Sequence, residues 1–328
     1  MPSTIVSRRR FLCIPLLAGC SRKSKDPGIG RIRFGVSPHL SMAGIHLAHE
    51  MGLFQRLGLD IELVVAERTP EVLALLAGGK IEAGSMAIGV GLVNAIVKGA
   101  TLRLVATRDG LKENCRDNSR IHGSRATFPG GLRSVSQLRG KRVAIGNRFG
   151  MPGFYLSRHL EAAKMTEKEL TLLNLRGPDA NAALAMGRID AIMGNDTDAD
   201  MTFSSNIVPG PSLASVFPGF QHSFHIFGDR LLKTDPSVGA RILAACLEGV
   251  RQFQAGKTPK FTEQFAGSRN TDIKTWCRYV LSNDGRLRLD YLQMYLDWAT
   301  RMGYLQSPVK AEQIVDTRFV EMANRQSF

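Results

Sequence analysis

A short segment occurs twice. Gly79-Lys80-Ile81-Glu82-Ala83 returns as Gly187-Arg188-Ile189-Asp190-Ala191, an offset of 108 residues. The flanking pattern repeats as well. Ile32-Arg33-Phe34-Gly35-Val36 reads as a strand, and so does Arg142-Val143-Ala144-Ile145-Gly146. Leu63-Val64-Val65 and Leu172-Leu173-Asn174-Leu175 follow in each half as second strands, and the strand ends are offset by 110. A helix opens at Ser41, another at Thr69-Pro70-Glu71, another at Pro152 and another near Asp179. Two α/β lobes of like topology explain this register. Strands alternating with helices predict largely parallel sheets with right-handed crossovers. The run 220–227 reads as a late strand returning to the first lobe. After it the chain is helical, from Asp235-Pro236 and again over 288–302.

The chain of 328 residues is long enough for two domains, and 44% hydrophobic residues suffice for packed cores. The formal charge of +14 favours acidic partners. No Lys/Arg run resembles a nucleic-acid arm, so no nucleic-acid partner is expected. In open α/β sheets, ligands bind beyond the carboxyl ends of strands, where helix N-termini suit small anions. In the first lobe those ends hold Ser37, Pro38, Ser41, Glu67, Ser85, Met86 and Arg108. In the second they hold Asn147, Arg148, Phe149, Met151, Asn195 and Asp196. The two sets are expected to face one another across a cleft.

The N-terminus reads as an address. Arg8, Arg9 and Arg10 precede a short apolar stretch ending in small residues, the layout of a cleavable export signal. Ser7-Arg8-Arg9-Arg10-Phe11-Leu12 resembles a twin-arginine signal, and Leu17-Ala18-Gly19-Cys20 resembles a bacterial lipoprotein box with Cys20 as the acylated thiol. The competing reading is a basic tail before a buried strand, which Pro15 and the Gly19-Cys20 ending make poor. Cleavage before Cys20 removes three arginines and takes the charge from +14 to +11. Cys115, Cys246 and Cys277 then remain for at most one disulfide, and spacing leaves open whether any forms.

Five segments resemble the bacterial solute-binding proteins of nitrate/sulfonate/taurine-type ABC transporters, a group that includes thiamine-pyrimidine binders. They are Ile32 with its strand, 48–65 (AHEMGLFQRLGLDIELVV), 77–85 (AGGKIEAGS), 137–146 (QLRGKRVAIG) and 187–194 (GRIDAIMG). The resemblance implies an α/β fold of the two-lobed periplasmic-binding-protein type (a type II-like clamshell) with a helical C-terminal segment. The expected divisions are an export signal over 1–19, a lipidated tether over 20–30, one lobe from 31–110 plus 216–328, and a second from 111–215. It also implies capture of a small organic or inorganic anion or zwitterion, or a pyrimidine, for an ABC permease and its ATPase. The protein would act at the periplasm or outer envelope face as a lipid-anchored monomer, with no cofactor, no metal and no catalytic residue. The alternatives are a biosynthetic enzyme on the same fold or an envelope solute sensor. Two departures stand out: 194–200 (GNDTDAD) carries three aspartates where relatives often have an aromatic turn, and 111–133 is long and polar, fit for a lid, a crossover loop or an ornament.

Each candidate has a plainer reading. Arg108 and Arg148 suit a carboxylate or sulfonate, or else an ion pair. Glu67 suits a ligand amine or its neighbour Arg68, and Phe149 a ligand ring or inter-lobe packing. His46 and His49 share a helix face with His39 upstream, yet no third metal ligand is fixed by spacing. His222 and His225 fall on opposite faces of a strand and cannot chelate together. No Walker loop, Gly-x-Ser-x-Gly elbow, Cys-x-x-Cys or His-Glu-x-x-His occurs.

Overall fold

A computed structural model describes residues 29–37, 40–66, 68–113, 115, 119–175, 177–193, 205–260 and 277–326. The export signal, Cys20 and most of the tether lie outside them. The chain lays down β1 (Ile32–Val36), β2 (Ile61–Val65), β3 (Ala83–Ala87) and β4 (Leu102–Thr107), with α1 (Ala43–Glu50), α2 (Leu53–Arg56), α3 (Thr69–Ala77) and α4 (Val90–Val97) between them. It then builds β5 (Ile121–Ser124), β6 (Arg142–Ile145), α5 (Met151–Ala162), β7 (Thr171–Leu173), α6 (Gly177–Ala185), β8 (Ala191–Met193) and β9 (Ile207–Pro209). It returns with β10 (Ser223–Gly228) and ends in α7 (Pro236–Gln254), α8 (Leu289–Arg301) and α9 (Arg318–Asn324).

Two five-stranded sheets result, ordered β2-β1-β3-β10-β4 and β7-β6-β8-β5-β9. They are mixed rather than largely parallel. β2, β1 and β3 run parallel, as do β7, β6 and β8, while β10 and β5 each enter antiparallel to both neighbours. The polar stretch 111–133 is therefore no ornament, since it supplies β5 inside the second sheet. β5 carries one large apolar residue, Ile121, and buries His122 and Ser124 instead. That composition hid it from a reading by apolar runs.

The sequence repeat has a physical cause. Gly79 and Gly187 both adopt left-handed backbone (φ 63° and 68°) just after α3 and α6, a conformation costly for any side chain. Glu82 and Asp190 then perform the same task in each half. Glu82 accepts the Arg33 backbone N–H (2.7 Å) and its guanidinium (3.1 Å). Asp190 accepts the Arg142 backbone N–H (2.8 Å) and its guanidinium through Nε and Nη2 (3.1 and 3.0 Å). Each carboxylate ties the loop entering the third strand to the start of the first. Asp235 stands at the start of α7 as expected, its carbonyl accepting the Val238 and Gly239 N–H groups, but its carboxylate pairs with Arg230 Nε (2.9 Å) and does not cap; α1 starts after Met42 rather than at Ser41.

One core spans both sheets. Its members include Met86 and Leu104 of the first, Val143 and Met193 of the second, and Tyr295, Leu296 and Trp298 of α8. Phe154 of α5 stacks on Phe220 (5.2 Å between centroids) and meets Trp298 and Tyr295 edge-on at 5.6 Å. Each such ring contributes about 1.5–3 kcal/mol by burial. The helical C-terminal segment thus joins the sheets by an apolar seam. A disulfide reinforces the crossover: Cys115 is bonded to Cys277 with Cα atoms 5.5 Å apart. Beside it, residues 108–111 pair with 280–282 through Gly110 N–H to Val280 O (2.9 Å) and Ser282 N–H to Arg108 O (2.8 Å).

Candidate functional site

The carboxyl ends of the two sheets meet. Gly89, just past β3, forms an antiparallel bridge with Gly150, just past β6. A Cβ on Gly89 would meet nothing within 4 Å, so the bridge borders open space. On the second-lobe side a depression of about 260 Å³ lies at the ends of β6 and β7, lined by Gly146, Asn147, Arg148, Phe149, Leu173 and Asn174 among others.

Local chemistry shapes this wall. Asn147 Oδ1 accepts the Phe149 N–H (3.1 Å), closing a tight turn. The Asn147 carbonyl accepts the Gly153 N–H (3.3 Å) and so caps the start of α5 from the loop. Position 153 must be glycine, because a Cβ there would run into the Arg148 carbonyl. Pro152 in the first turn has no N–H to offer, so few donors of the α5 terminus remain for a ligand.

On the first-lobe side, Arg108 leaves β4 and turns inward, 7% exposed. Its Nη2 donates to Asp109 Oδ2 (3.1 Å), and its Nη1 contacts Ser85 Oγ and Met42 Sδ, each at 3.3 Å. Asp109 also accepts the Ser223 N–H (3.2 Å) and lies 3.3 Å from His222 Nδ1. His225, further along the same strand, stands edge-on to Phe34. Burial, reinforced by the Arg108 charge, holds the His225 imidazole down to about 3, so the ring is neutral at physiological pH. Arg108 Nε, His225 Nδ1 and Ser223 Oγ are buried and have no hydrogen-bond partner among the described residues. This is a dense, incompletely satisfied polar layer under the strand ends.

The predicted residues separate accordingly. Ser37, Ser85 and Arg108 of the first lobe are buried in or near this layer, with Ser41 half-buried on the turn before α1. Arg108 is not a free guanidinium on a solvent-lined wall. Its charge is matched by Asp109, which the sequence reading passed over although the two are adjacent at a strand end. Asn147, Arg148 and Phe149 are exposed. Arg148 borders the depression but pairs with Glu167, and Phe149 packs edge-on against Tyr304 at 5.0 Å while 59% exposed. Met86 and Met151 fill the common core. Arg68 pairs with Glu71 (2.9 Å). Pro38, Glu67, Asn195 and Asp196 lie outside the described residues. Gly89 and Asn174 were not among the expected residues, since a backbone bridge and a rim position have no signature in residue type. His46 is buried, which lowers its pKa to about 4. No cluster of three metal-binding side chains occurs among the described residues.

Two α/β lobes with facing strand ends define the two-lobed periplasmic-binding-protein fold, and solved structures agree. The alkanesulfonate-binding protein SsuA from Xanthomonas axonopodis pv. citri, bound to MOPS, superimposes with a TM-score of 0.66 at 18% identity, covering 88% of this chain and 98% of its own. The periplasmic aliphatic sulphonate binding protein SsuA from Escherichia coli gives 0.70 at 16% identity, covering 88% and 92%. A mutant of the desulfurization enzyme DSZB, in complex with biphenyl-2-sulfinic acid, gives 0.64 at 13% identity, covering 90% and 99%. No curated protein matches the chain in sequence. The NMT1/THI5-like family model matches residues 39–251, well over half the chain, and the protein belongs to that family.

Proposed function

We propose that the protein is an extracytoplasmic solute-binding lipoprotein of an ABC importer, with a small sulfonate or related organic anion as its solute. The observation that carries this reading is the Gly89–Gly150 bridge. It joins the strand ends of the two lobes, so a small molecule held beside it would contact both. Hinge closure is then stabilised by ligand contacts from both sides. The sulfonate class is supported by the names of the two SsuA structures and by the MOPS bound to the first. The Cys115–Cys277 bond supports an oxidising compartment, in keeping with the export signal.

Cys115 and Cys277 are bonded to each other, and Cys246 is buried, with burial pushing its thiol pKa up. Among the described residues, then, no thiol is poised as a nucleophile. A thermal-shift screen of the mature protein against alkanesulfonates, taurine, nitrate and pyrimidines is the test. A true solute at 100 times its dissociation constant adds about 2.7 kcal/mol of stability. A panel with no stabilising member refutes the reading. Cys20→Ser should move the protein from membranes to the soluble envelope fraction, and equal membrane retention refutes the anchor.

A further inference from the structure

A second cavity, of about 810 Å³, runs along the outer side of α5 toward the end of α8. That volume suits a small molecule. Its apolar surface comes from Met165, Leu170, Leu172 and Met302. Four cations border it: Arg148, Arg158, Lys168 and Arg301. Only two carboxylates do so, and both are engaged, Glu161 with Arg158 (2.5 Å) and Glu167 with Arg148. Arg301 and Lys168 have no ion-pair partner among the described residues.

Arg158 is the informative residue. Its side chain is 11% exposed, lies over the Phe154 ring at 5.6 Å, and has its Nε buried without a partner. Burial lowers its pKa, the Glu161 carboxylate opposes that shift, and the nearby Arg301 charge adds a smaller push downward. Glu161 answers one guanidinium, but four cations against two engaged carboxylates leave Arg301 and Lys168 unanswered at the wall of a partly apolar cavity, an arrangement that a bound anion would stabilise. A cationic ligand would worsen it. A polyanion without an apolar body would leave the methionine and leucine surface unused.

We infer that this groove is a second ligand site, taking a free organic anion with an apolar body, its head group on Arg158 and Arg301 and its chain along Met165, Leu170 and Leu172. The inference stands apart from the reading of the inter-lobe cleft. The groove shares Arg148 and Leu172 with the cleft-side depression, but Arg158, Lys168 and Arg301, which would meet the anion, do not line that depression.

The test is calorimetric titration of the whole mature protein with decanoate. Decyltrimethylammonium serves as the cation of equal chain length and acetate as the head group alone. Decanoate should bind saturably, one per chain, and neither control should. Arg301→Glu, at an exposed position, should weaken decanoate by about tenfold or more, and Lys168→Glu should add to the loss. Both variants should keep the wild-type circular dichroism and wild-type binding at the cleft. Asn147→Ala, in the cleft, should leave decanoate binding intact. The inference is overturned if decanoate does not bind, if decyltrimethylammonium binds as well, or if Arg301→Glu leaves affinity unchanged. Loss of decanoate in Asn147→Ala alone would place it in the cleft and overturn the inference too.

Discussion

Asp190→Asn is the most informative single change to the frame. The Asp190 carboxylate accepts four hydrogen bonds: the Arg142 N–H (2.8 Å), Arg142 Nε (3.1 Å), Arg142 Nη2 (3.0 Å) and Thr127 Oγ1 (2.9 Å). Asparagine keeps the shape but turns one acceptor oxygen into a donor. At least one contact to Arg142 then becomes donor against donor, and the charge opposite Arg142 is lost. With hydrogen bonds to charged groups at about 1.5–3 kcal/mol and some relaxation, the cost should be about 2–4 kcal/mol. The same group sets an acid limit. Its hydrogen bonds to Arg142 hold the carboxyl down to about 2 from 3.8. A depressed carboxyl contributes stability above its unfolded value, which is lost as pH falls through 3.8 toward 2. Because the Arg142 side chain is 46% exposed, solvent screening limits that contribution to about 1–2 kcal/mol. Urea unfolding at pH 7 and at steps down to pH 2 measures both. The variant should start lower and lose less on acidification. A variant within about 0.5 kcal/mol of wild type at pH 7, with an unchanged acid profile, would refute the clamp.

Three further outcomes follow from the geometry. Cys115→Ser with Cys277→Ser opens a covalent loop spanning 162 residues and should cost about 2–5 kcal/mol, read as a lower urea midpoint. Gly153→Ala forces a methyl against the Arg148 carbonyl and should cost about 1–3 kcal/mol while weakening solute binding, because the 147–150 loop must move. Phe149→Ala exposes Tyr304 but removes no fully buried side chain, so stability should change by less than about 1 kcal/mol. Calorimetric denaturation of each variant checks the last two.

The repeat made the architecture legible because it records one physical job done twice. Gly79 and Gly187 turn the chain, and Glu82 and Asp190 clamp the first strand, so residue type itself carried the fold. β5 and β9 were illegible for the opposite reason. A central strand that buries His122, Gly123 and Ser124 pairs its backbone with β8 and β9, neighbours the sequence does not reveal. The site was half legible. Topology placed Arg108, Asn147 and Phe149 just past strand ends, where they are found, whereas Ser85 lies in the middle of β3. It did not supply their directions. Arg148 swings to Glu167, and Arg108 sinks onto Asp109, because pairing a charge is worth more than leaving it on an uncommitted wall. Helix capping was read too freely at Asp235, where Arg230 offered a stronger, charged partner.

The central claim is that one solute touches both lobes at the Gly89–Gly150 junction. Amide hydrogen exchange of the mature protein, with and without the best hit of the solute screen, tests it most directly. Protection should rise together at 88–91 of the first lobe and at 146–150 of the second, with 174–175 following. Protection confined to one lobe, or absent from both segments while the solute is bound, would contradict it.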